Sequence, residues 1–223
     1  MTLSLNEFFN AESYVKGYSK YKNLQDINLK ILKRINHKSV LSLGCGSGRE
    51  ARELVKNNNK VIGIDIAKKL IASSKIIEPH ARYFCCDAVD FARKNKDKLK
   101  FDYILGLYSL FNYIKKEDRK ELIENLFSML NTGGKIILEV RWWNDRWQDI
   151  LKCCYYYFFN KEFGDISQTI LAHHYTRNQI KELLEEFDFS INGSVICIIK
   201  NRSEPCRILK EELKRCKKCG KLL

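Results

Sequence analysis

Apolar residues in the first two thirds of this chain form short continuous runs that alternate with amphipathic segments. The runs predict buried strands at residues 39–43, 60–65, 81–85, 101–107 and 135–140. The segments between and after them predict helices near residues 49–57, 67–76, 90–95 and 116–130. Because continuously apolar strands belong in a parallel sheet that is covered on both faces, this alternation predicts a doubly wound α/β fold.

The pattern changes on both sides of this alternation. An amphipathic helix is predicted within residues 23–36, and an aromatic segment at 141–175 is followed by a helix at 176–187. Asn192-Gly193 then predicts a tight hairpin, so two further, antiparallel strands complete a seven-stranded sheet. We therefore expect three parts: an N-terminal helical cap at 1–37, the α/β domain at 38–200 and a basic tail at 201–223.

A glycine-rich turn, Gly44-Cys45-Gly46-Ser47-Gly48, directly follows the first strand. Glycines let the backbone come close to a ligand, and the helix that follows offers free amide groups. Asp65 ends the second strand and Asp87 follows the third, so two carboxylates lie at the same sheet edge. Together they predict a nucleoside site, whereas an ordinary tight connection would not require these acids. No Gly-Lys-Ser/Thr follows, which excludes a P-loop, and Arg49 stands where a dinucleotide fingerprint needs glycine.

Five segments, in this order, resemble the motifs of class I S-adenosylmethionine-dependent methyltransferases. They are VLSLGCGSGREA at 40–51, VIGIDIAKKLI at 61–71, FCCDAVDF at 84–91, FDYILGLYSLFNYI at 101–114 and MLNTGGKIILEV at 129–140. The resemblance covers roughly residues 38–200 and implies the Rossmann-like methyltransferase fold, with S-adenosylmethionine as cofactor. One position departs from the family pattern, because Ser42 stands where the first motif usually has aspartate.

The resemblance also implies which residues bind the cofactor. They are Gly44, Cys45, Gly46, Asp65, Ile66, Asp87, Ala88, Leu107 and Tyr108. The glycine turn would pass under the methionine moiety and ribose, and Asp65 would bind the ribose hydroxyls. Asp87 and the Ala88 amide would recognise adenine, which lies against Ile66, and Tyr108 would face the sulfonium. A sulfonium is already activated, so catalysis requires mainly alignment and no metal.

The acceptor side is expected in the aromatic segment at 141–175, which resembles the part of the family that folds over the active site as a lid. Arg141, Trp142 and Trp143 follow the fifth strand, and the alternatives of acceptor pocket and packing core are equally weighted. His173 and His174 precede a Thr176 helix cap and are candidate bases, as is Tyr108, although capping or surface roles are more common for such histidines. The catalytic residue stays open.

Tyr14, Tyr18 and Tyr21 recur at helical spacing near the start of the chain. A stripe of this kind favours a packing role. The alternative is a cover over the methionine end of the cofactor.

Charge and cysteine content add two features of the tail. The net charge is +13, and the last 24 residues hold nine basic and three acidic side chains. This surplus is compatible with RNA binding or with an ordinary solvated surface. The tail also contains Cys216-x-x-Cys219, which has zinc-knuckle spacing with Cys206 as a possible third ligand. The fourth ligand is undetermined, and an inert or redox-active pair is the alternative.

These observations favour an S-adenosylmethionine-dependent methyltransferase that acts on a nitrogen or oxygen atom of a small molecule. The alternatives are an RNA methyltransferase that uses the basic tail and a non-catalytic scaffold protein with the cofactor fold. Because no leader pattern and no apolar run of about 18 residues is present, we expect a soluble cytoplasmic protein without membrane contact. The oligomeric state is left open.

Overall fold

A computed structural model describes residues 4–20, 24–142, 165, 166 and 172–200. In the described residues the strands are β1 Ser39–Leu43, β2 Lys60–Asp65, β3 Arg82–Cys85, β4 Phe101–Gly106, β5 Leu130–Glu139, β6 Asp165–Ile166, β7 Ala172–His173, β8 Asp188–Asn192 and β9 Val195–Ile199. The helices are α1 Leu5–Asn10, α2 Glu12–Lys20, α3 Asp26–Lys33, α4 Arg49–Lys56, α5 Lys68–Ile77, α6 Ala88–Asn95, α7 Lys116–Ser128 and α8 Arg177–Leu183. A short 3-10 turn covers Leu110–Tyr113.

Seven strands form one sheet in the order β3-β2-β1-β4-β5-β9-β8. Strands β1 to β5 are parallel, and β9 lies antiparallel between β5 and β8. The predicted doubly wound, mostly parallel seven-stranded sheet with a C-terminal antiparallel hairpin is therefore confirmed. The strand order reverses beside β1, so the carboxyl ends of β1, β2 and β4 meet at the crevice where ligands bind in such sheets.

Apolar side chains cover both faces of the sheet. One cluster contains Ile31 of α3, Leu54 of α4 and Ile71 of α5, packed against Val40 of β1. The other contains side chains of α6, α7 and α8, packed against the opposite face, to which Leu41 contributes. Helices on both faces explain why the central strands are apolar at successive positions.

Strand β5 begins at Leu130, five residues before the predicted start. Gly133-Gly134 is typical of a turn. In the structure, however, residues 131–134 form an irregular stretch within β5, which pairs with β4 on either side of it, at Leu130–Phe101 and at Lys135–Tyr103. The Gly133 amide donates to the carbonyl of Lys200 at 2.9 Å, which stabilises this stretch within the sheet. The hairpin loop is Gly193-Ser194, one residue later than predicted, because Asn192 pairs with Val195.

The N-terminal helices lie over the carboxyl edge of the sheet. Helix α1 begins with a capping box between Ser4 and Glu7, and the side-chain amide of Asn10 donates to the carbonyl of Ile66 at 3.4 Å. The Phe9 ring lies 5.1 Å from that of Tyr14 and 5.4 Å from that of Tyr113, between centroids. Across the described ranges, the helices are too short or too polar to cross a membrane.

Candidate active site at the carboxyl edge of the sheet

The glycine turn after β1 adopts a backbone that other residues rarely use. Gly44 has a φ of +63°, and a Cβ atom there would lie 2.9 Å from Cδ1 of Leu110. The amide of Cys45 donates to the carbonyl of Ile64 at 2.9 Å, which ties the turn to β2. The Cys45 side chain is buried in the core, where its thiol occupies the space beside Gly63. Only the backbone of this residue therefore contributes to the turn.

Asp65 joins the glycine turn to the end of β2. Its Oδ2 accepts from the Gly46 amide and its Oδ1 from the Ala67 amide, both at 2.8 Å. Burial raises the pKa of Asp65, whereas these backbone hydrogen bonds oppose that shift. The carboxylate is thus held in one orientation and retains lone pairs that can accept from a ligand hydroxyl.

Asp87 caps a helix, and the capping hydrogen bonds orient its carboxylate. It is the N-cap of α6, and its Oδ1 accepts from the amides of Val89 at 2.7 Å and Asp90 at 3.2 Å. Oδ2 accepts no hydrogen bond from the residues that the structure describes. Ile66 and Ala88 line the cavity beside Asp87, so the three form an apolar slot with an acidic edge.

A carboxylate lies beside Ser42, but it comes from a different element. The Ser42 hydroxyl donates to Oε2 of Glu50 at 2.7 Å, and both residues are buried. Burial raises the pKa of Glu50 to about 7, although the hydrogen bond from Ser42 and the charge of Arg49 oppose the shift. Glu50, in the first turn of α4, therefore supplies a carboxylate beside the position where β1 has Ser42 instead of aspartate.

The segment after β4 holds two consecutive residues in a left-handed conformation. Tyr108 has a φ of +53° and Ser109 of +63°, which costs energy for residues with a side chain. The Tyr108 amide donates to Oε2 of Glu139 at 2.7 Å, and its hydroxyl accepts from the Gln25 amide at 3.2 Å. Oε2 of Glu139 also accepts from the Asn28 side-chain amide at 3.2 Å. Tyr108, which follows β4, is thus fixed by hydrogen bonds with Glu139 of β5 and with Gln25, the residue before α3.

Asn112 joins the 3-10 turn to the residue that follows β5 and to β7. Its Oδ1 accepts from the Arg141 amide at 2.9 Å, and its Nδ2 donates to the carbonyls of Arg141, at 3.1 Å, and of His173. Trp142 is anchored by its indole N–H, which donates to the carbonyl of Gly193 at 2.7 Å. The guanidinium of Arg177 lies 5.2 Å from the centroid of the Trp142 ring. Trp142 therefore combines a packing role with a place in the cavity wall.

One cavity of about 1130 Å³ runs along this edge. It brings together the predicted residues Gly44, Gly46, Asp65, Ile66, Asp87, Ala88, Leu107, Tyr108, Arg141, Trp142 and His174. The side chain of Cys45 and the buried His173 do not belong to its lining, and the His173 ring instead packs 4.6 Å from that of Tyr175. Trp143, Cys206, Cys216 and Cys219 lie outside the described residues.

Sequence reasoning missed several residues of the wall. Phe8, Phe9, Arg49 and Glu139 all line the cavity, as does Tyr14, for which the sequence favours a packing role. Glu139 could have been predicted from the sequence because it is an acid at the end of an apolar strand. No local pattern places Phe8 or Phe9 there, since their position depends on how α1 folds over the sheet.

Within the parts of the chain that the structure describes, no group of three or more His, Cys, Asp and Glu side chains could hold a metal ion. The predicted zinc ligands of the tail are not among those residues, so that site stays a prediction.

The chain is similar to known methyltransferases in sequence and in fold. A family model described as a methyltransferase domain matches residues 40–134. An uncharacterized methyltransferase of Schizosaccharomyces pombe is 30% identical over 105 residues, which cover 46% of this chain and 70% of that protein. A phosphoethanolamine N-methyltransferase of Triticum aestivum is 30% identical over 111 residues, 48% of this chain but 22% of that protein. The chain therefore matches only about a fifth of the length of the wheat enzyme. A S-adenosylmethionine-dependent methyltransferase from Methanosarcina mazei shares the fold, with a TM-score of 0.64 at 19% identity, covering 79% of this chain and 96% of that chain.

Proposed function

The chain belongs to the class I S-adenosylmethionine-dependent methyltransferase superfamily, and we propose that it methylates a nitrogen or oxygen atom of a small molecule. The observation that carries this proposal is the continuous cavity of about 1130 Å³ that extends from the glycine turn to Trp142 and His174. Sites for one small ligand measure about 300–1,000 Å³. The cavity therefore has room for the cofactor and a small acceptor together.

The residues present fit the cofactor. The turn at Gly44 leaves space that a Cβ atom would take up against Leu110, Asp65 offers carboxylate oxygens for a ribose, and Asp87 offers one for an adenine amino group. When bound, the cofactor would supply an activated methyl group: an acceptor lone pair would form a bond to the methyl carbon, in line with the C–S bond, which would break with its electron pair left on sulfur. Leu107 and Tyr108 line the cavity between the turn and the acceptor side and position the reacting atoms.

The proton lost by the acceptor requires a base only if the acceptor is protonated at the working pH. His174 lines the cavity beside the acceptor wall, whereas His173 is buried behind it. We therefore assign this role to His174. Tyr108 acts in positioning, because its backbone is held by Glu139.

The small-molecule proposal is supported by the aromatic residues that line the cavity. Phe8, Phe9 and Tyr14 come from the N-terminal helices, Tyr113 comes from the 3-10 turn and packs against Phe9, and Trp142 follows β5. An aromatic lining of this kind suits a compact acceptor. The N-terminal residues 1–37 thus form part of the proposed site, residues 38–200 form the catalytic domain and 201–223 the tail.

The first experiment is calorimetric titration of the purified chain with S-adenosylmethionine and S-adenosylhomocysteine. We expect micromolar affinity, and Asp65→Asn should weaken it by about tenfold or more because it removes the charge that accepts from the ribose. Asp97→Asn, an exposed residue outside the cavity, is the matched control.

A labelled methyl donor then identifies the acceptor class. Transfer to small molecules of a cell extract supports the proposal, whereas transfer to RNA that is lost on deletion of 201–223 supports the RNA alternative. A folded chain that binds neither cofactor form would contradict methyl transfer and favour the scaffold alternative.

A further inference from the structure

Glu139 is a buried carboxylate with one oxygen left for a ligand. It is the last residue of β5, its exposed fraction is 9%, and it lines the cavity. Oε2 accepts from the amide of Tyr108 at 2.7 Å and from the side-chain amide of Asn28 at 3.2 Å. Oε1 accepts no hydrogen bond from the residues that the structure describes, and it is not enclosed within the core. The carboxylate is therefore held in place by one oxygen and offers the other to the cavity.

The charge of Glu139 has no ion-pair partner in the described parts of the chain. Arg49, which also lines the cavity, instead stacks on the Tyr108 ring, 4.9 Å from its centroid. Burying a carboxylate is unfavourable unless hydrogen bonds or an opposite charge compensate. Hydrogen bonds compensate at Oε2, so a cation bound at Oε1 would complete the environment of this group.

The place of Glu139 in the sheet puts it on the acceptor side. Asp87, Asp65 and Gly44 mark the carboxyl ends of β3, β2 and β1, and β4 and β5 follow in the order of the sheet. Neighbouring strands lie about 4.8 Å apart, so the end of β5 lies roughly 10 Å beyond that of β1. The residues proposed for the nucleoside thus occupy one half of the edge. Glu139 lies in the other half, three residues before Trp142 of the cavity lining.

We propose that the acceptor is a primary or secondary amine and that Oε1 of Glu139 binds its ammonium group. This inference rests on the proposed function and selects nitrogen over oxygen as the methylated atom. A hydrogen bond between two charged groups is about twice as strong as one between neutral groups. An ammonium also neutralises the buried carboxylate, whereas a hydroxyl group does not. The Tyr113 and Trp142 rings line the same cavity, and the faces of such rings attract alkylammonium ions.

The bound amine loses a proton before the transfer. The ammonium gives one proton to His174, the base proposed above, and a remaining N–H bond donates to Oε1 of Glu139. The nitrogen lone pair forms the bond to the methyl carbon, and the C–S bond breaks with its electron pair left on sulfur. Positive charge moves from sulfur to nitrogen in this step. Glu139 therefore stabilises the charge that develops on the acceptor.

The first test blocks amines and leaves the protein unchanged. One half of the small-molecule fraction of a cell extract is treated with sulfosuccinimidyl acetate, which acetylates primary and secondary amines, and the remaining reagent is hydrolysed. The full chain then receives each half with methyl-labelled S-adenosylmethionine. Incorporation from the treated half should fall to background, because an acetylated nitrogen has neither the positive charge nor an available lone pair. A mixture of both halves should keep its incorporation, which excludes an inhibitor.

Glu139→Gln tests the residue itself. The Gln carbonyl oxygen can replace Oε2 and accept from Tyr108 and Asn28, whereas the amide nitrogen takes the place of Oε1 and cannot accept from an ammonium. Transfer at limiting untreated extract should fall roughly 10- to 100-fold, the effect of one hydrogen bond between charged groups. The calorimetric affinity for S-adenosylmethionine should stay within about threefold of wild type. Glu182→Gln, an exposed residue of α8, is the matched control.

Equal incorporation from the treated and untreated halves would overturn the proposal, because the acceptor would then be neither a primary nor a secondary amine. Wild-type transfer by Glu139→Gln would overturn the assignment of Glu139, as would a loss of cofactor affinity as large as the loss of transfer. If the variant fails to fold, acetylation still decides the acceptor class with the wild-type chain. If untreated extract accepts no label although the chain binds S-adenosylmethionine, the proposed function fails and this inference fails with it.

Discussion

Glu50 gives a prediction that can be worked through in numbers. Burial raises its pKa from 4.5 to about 7. Between these two pH values, the Glu50 side chain is protonated in the folded state and ionised in the unfolded state. The contribution of the protonated group to stability is therefore present below pH 4.5 and is lost as the pH rises toward 7. A shift of this size corresponds to roughly 3 kcal/mol.

Glu50→Gln keeps the shape of the side chain and a carbonyl oxygen that can accept from the Ser42 hydroxyl, but it cannot ionise. We expect the variant and the wild-type chain to have similar free energies of unfolding near pH 5. Near pH 8 the variant should be more stable by most of roughly 3 kcal/mol, because it avoids the buried charge. Urea unfolding at both pH values measures the difference, with Glu182→Gln on the exposed side of α8 as control.

A stability difference between Glu50→Gln and the wild-type chain that is the same at both pH values would refute the reasoning. That result would mean that Glu50 is already ionised in the folded state at pH 5, so that its hydrogen bond and the charge of Arg49 outweigh burial.

Further predictions concern the turn, the acceptor side and the end of α7. Gly44→Ala adds about 1–2 kcal/mol of left-handed strain and a Cβ atom 2.9 Å from Leu110, so calorimetry should show at least about tenfold weaker cofactor binding. Gly133→Ala has the same sign of φ but meets no atom within 4 Å, so equal affinities in the two variants would contradict this account. Asn112→Ala removes hydrogen bonds to three backbone groups and should lower the free energy of unfolding in urea by about 2–4 kcal/mol. A loss below about 1 kcal/mol would show that water replaces these bonds. Lys200→Met deletes an ammonium that donates to the carbonyls of Phe127 in α7 and Leu130 in β5, and thermal unfolding should report a Tm lower by about 2–8 °C. An unchanged Tm would mean that Lys100, which donates to the Ser128 carbonyl, is sufficient.

The parallel strands could be predicted well because their limits coincide with changes in chemistry. Strands β1 and β2 occupy the predicted residues, since apolar runs end at the glycine turn and at Asp65. The start of β5 was wrong because two adjacent glycines are typical of a turn, and only the pairing of Leu130 with Phe101 shows that the strand continues through them.

The residues of the candidate site could be predicted only where a functional side chain lies at the end of a strand. Asp65 and Asp87 met that condition, and their place in the cavity agrees with it. Arg49 departs from a glycine pattern in the sequence, and its place beside the Tyr108 ring depends on the segment that follows β4. The choice between His173 and His174 likewise depends on tertiary packing, because His173, the last residue of β7, is buried whereas His174 lines the cavity.

The position of β9 between β5 and β8 has a consequence for the order of assembly. The pairs β1–β2 and β2–β3 join segments about twenty residues apart in sequence, whereas Leu138 pairs with Ile196 across about sixty residues. Because closing a longer loop costs more entropy, non-local pairs form late during folding. We expect the half of the site that would hold the nucleoside to be in place first. The wall that includes Trp142, anchored to the β8–β9 hairpin, is then completed in a later step.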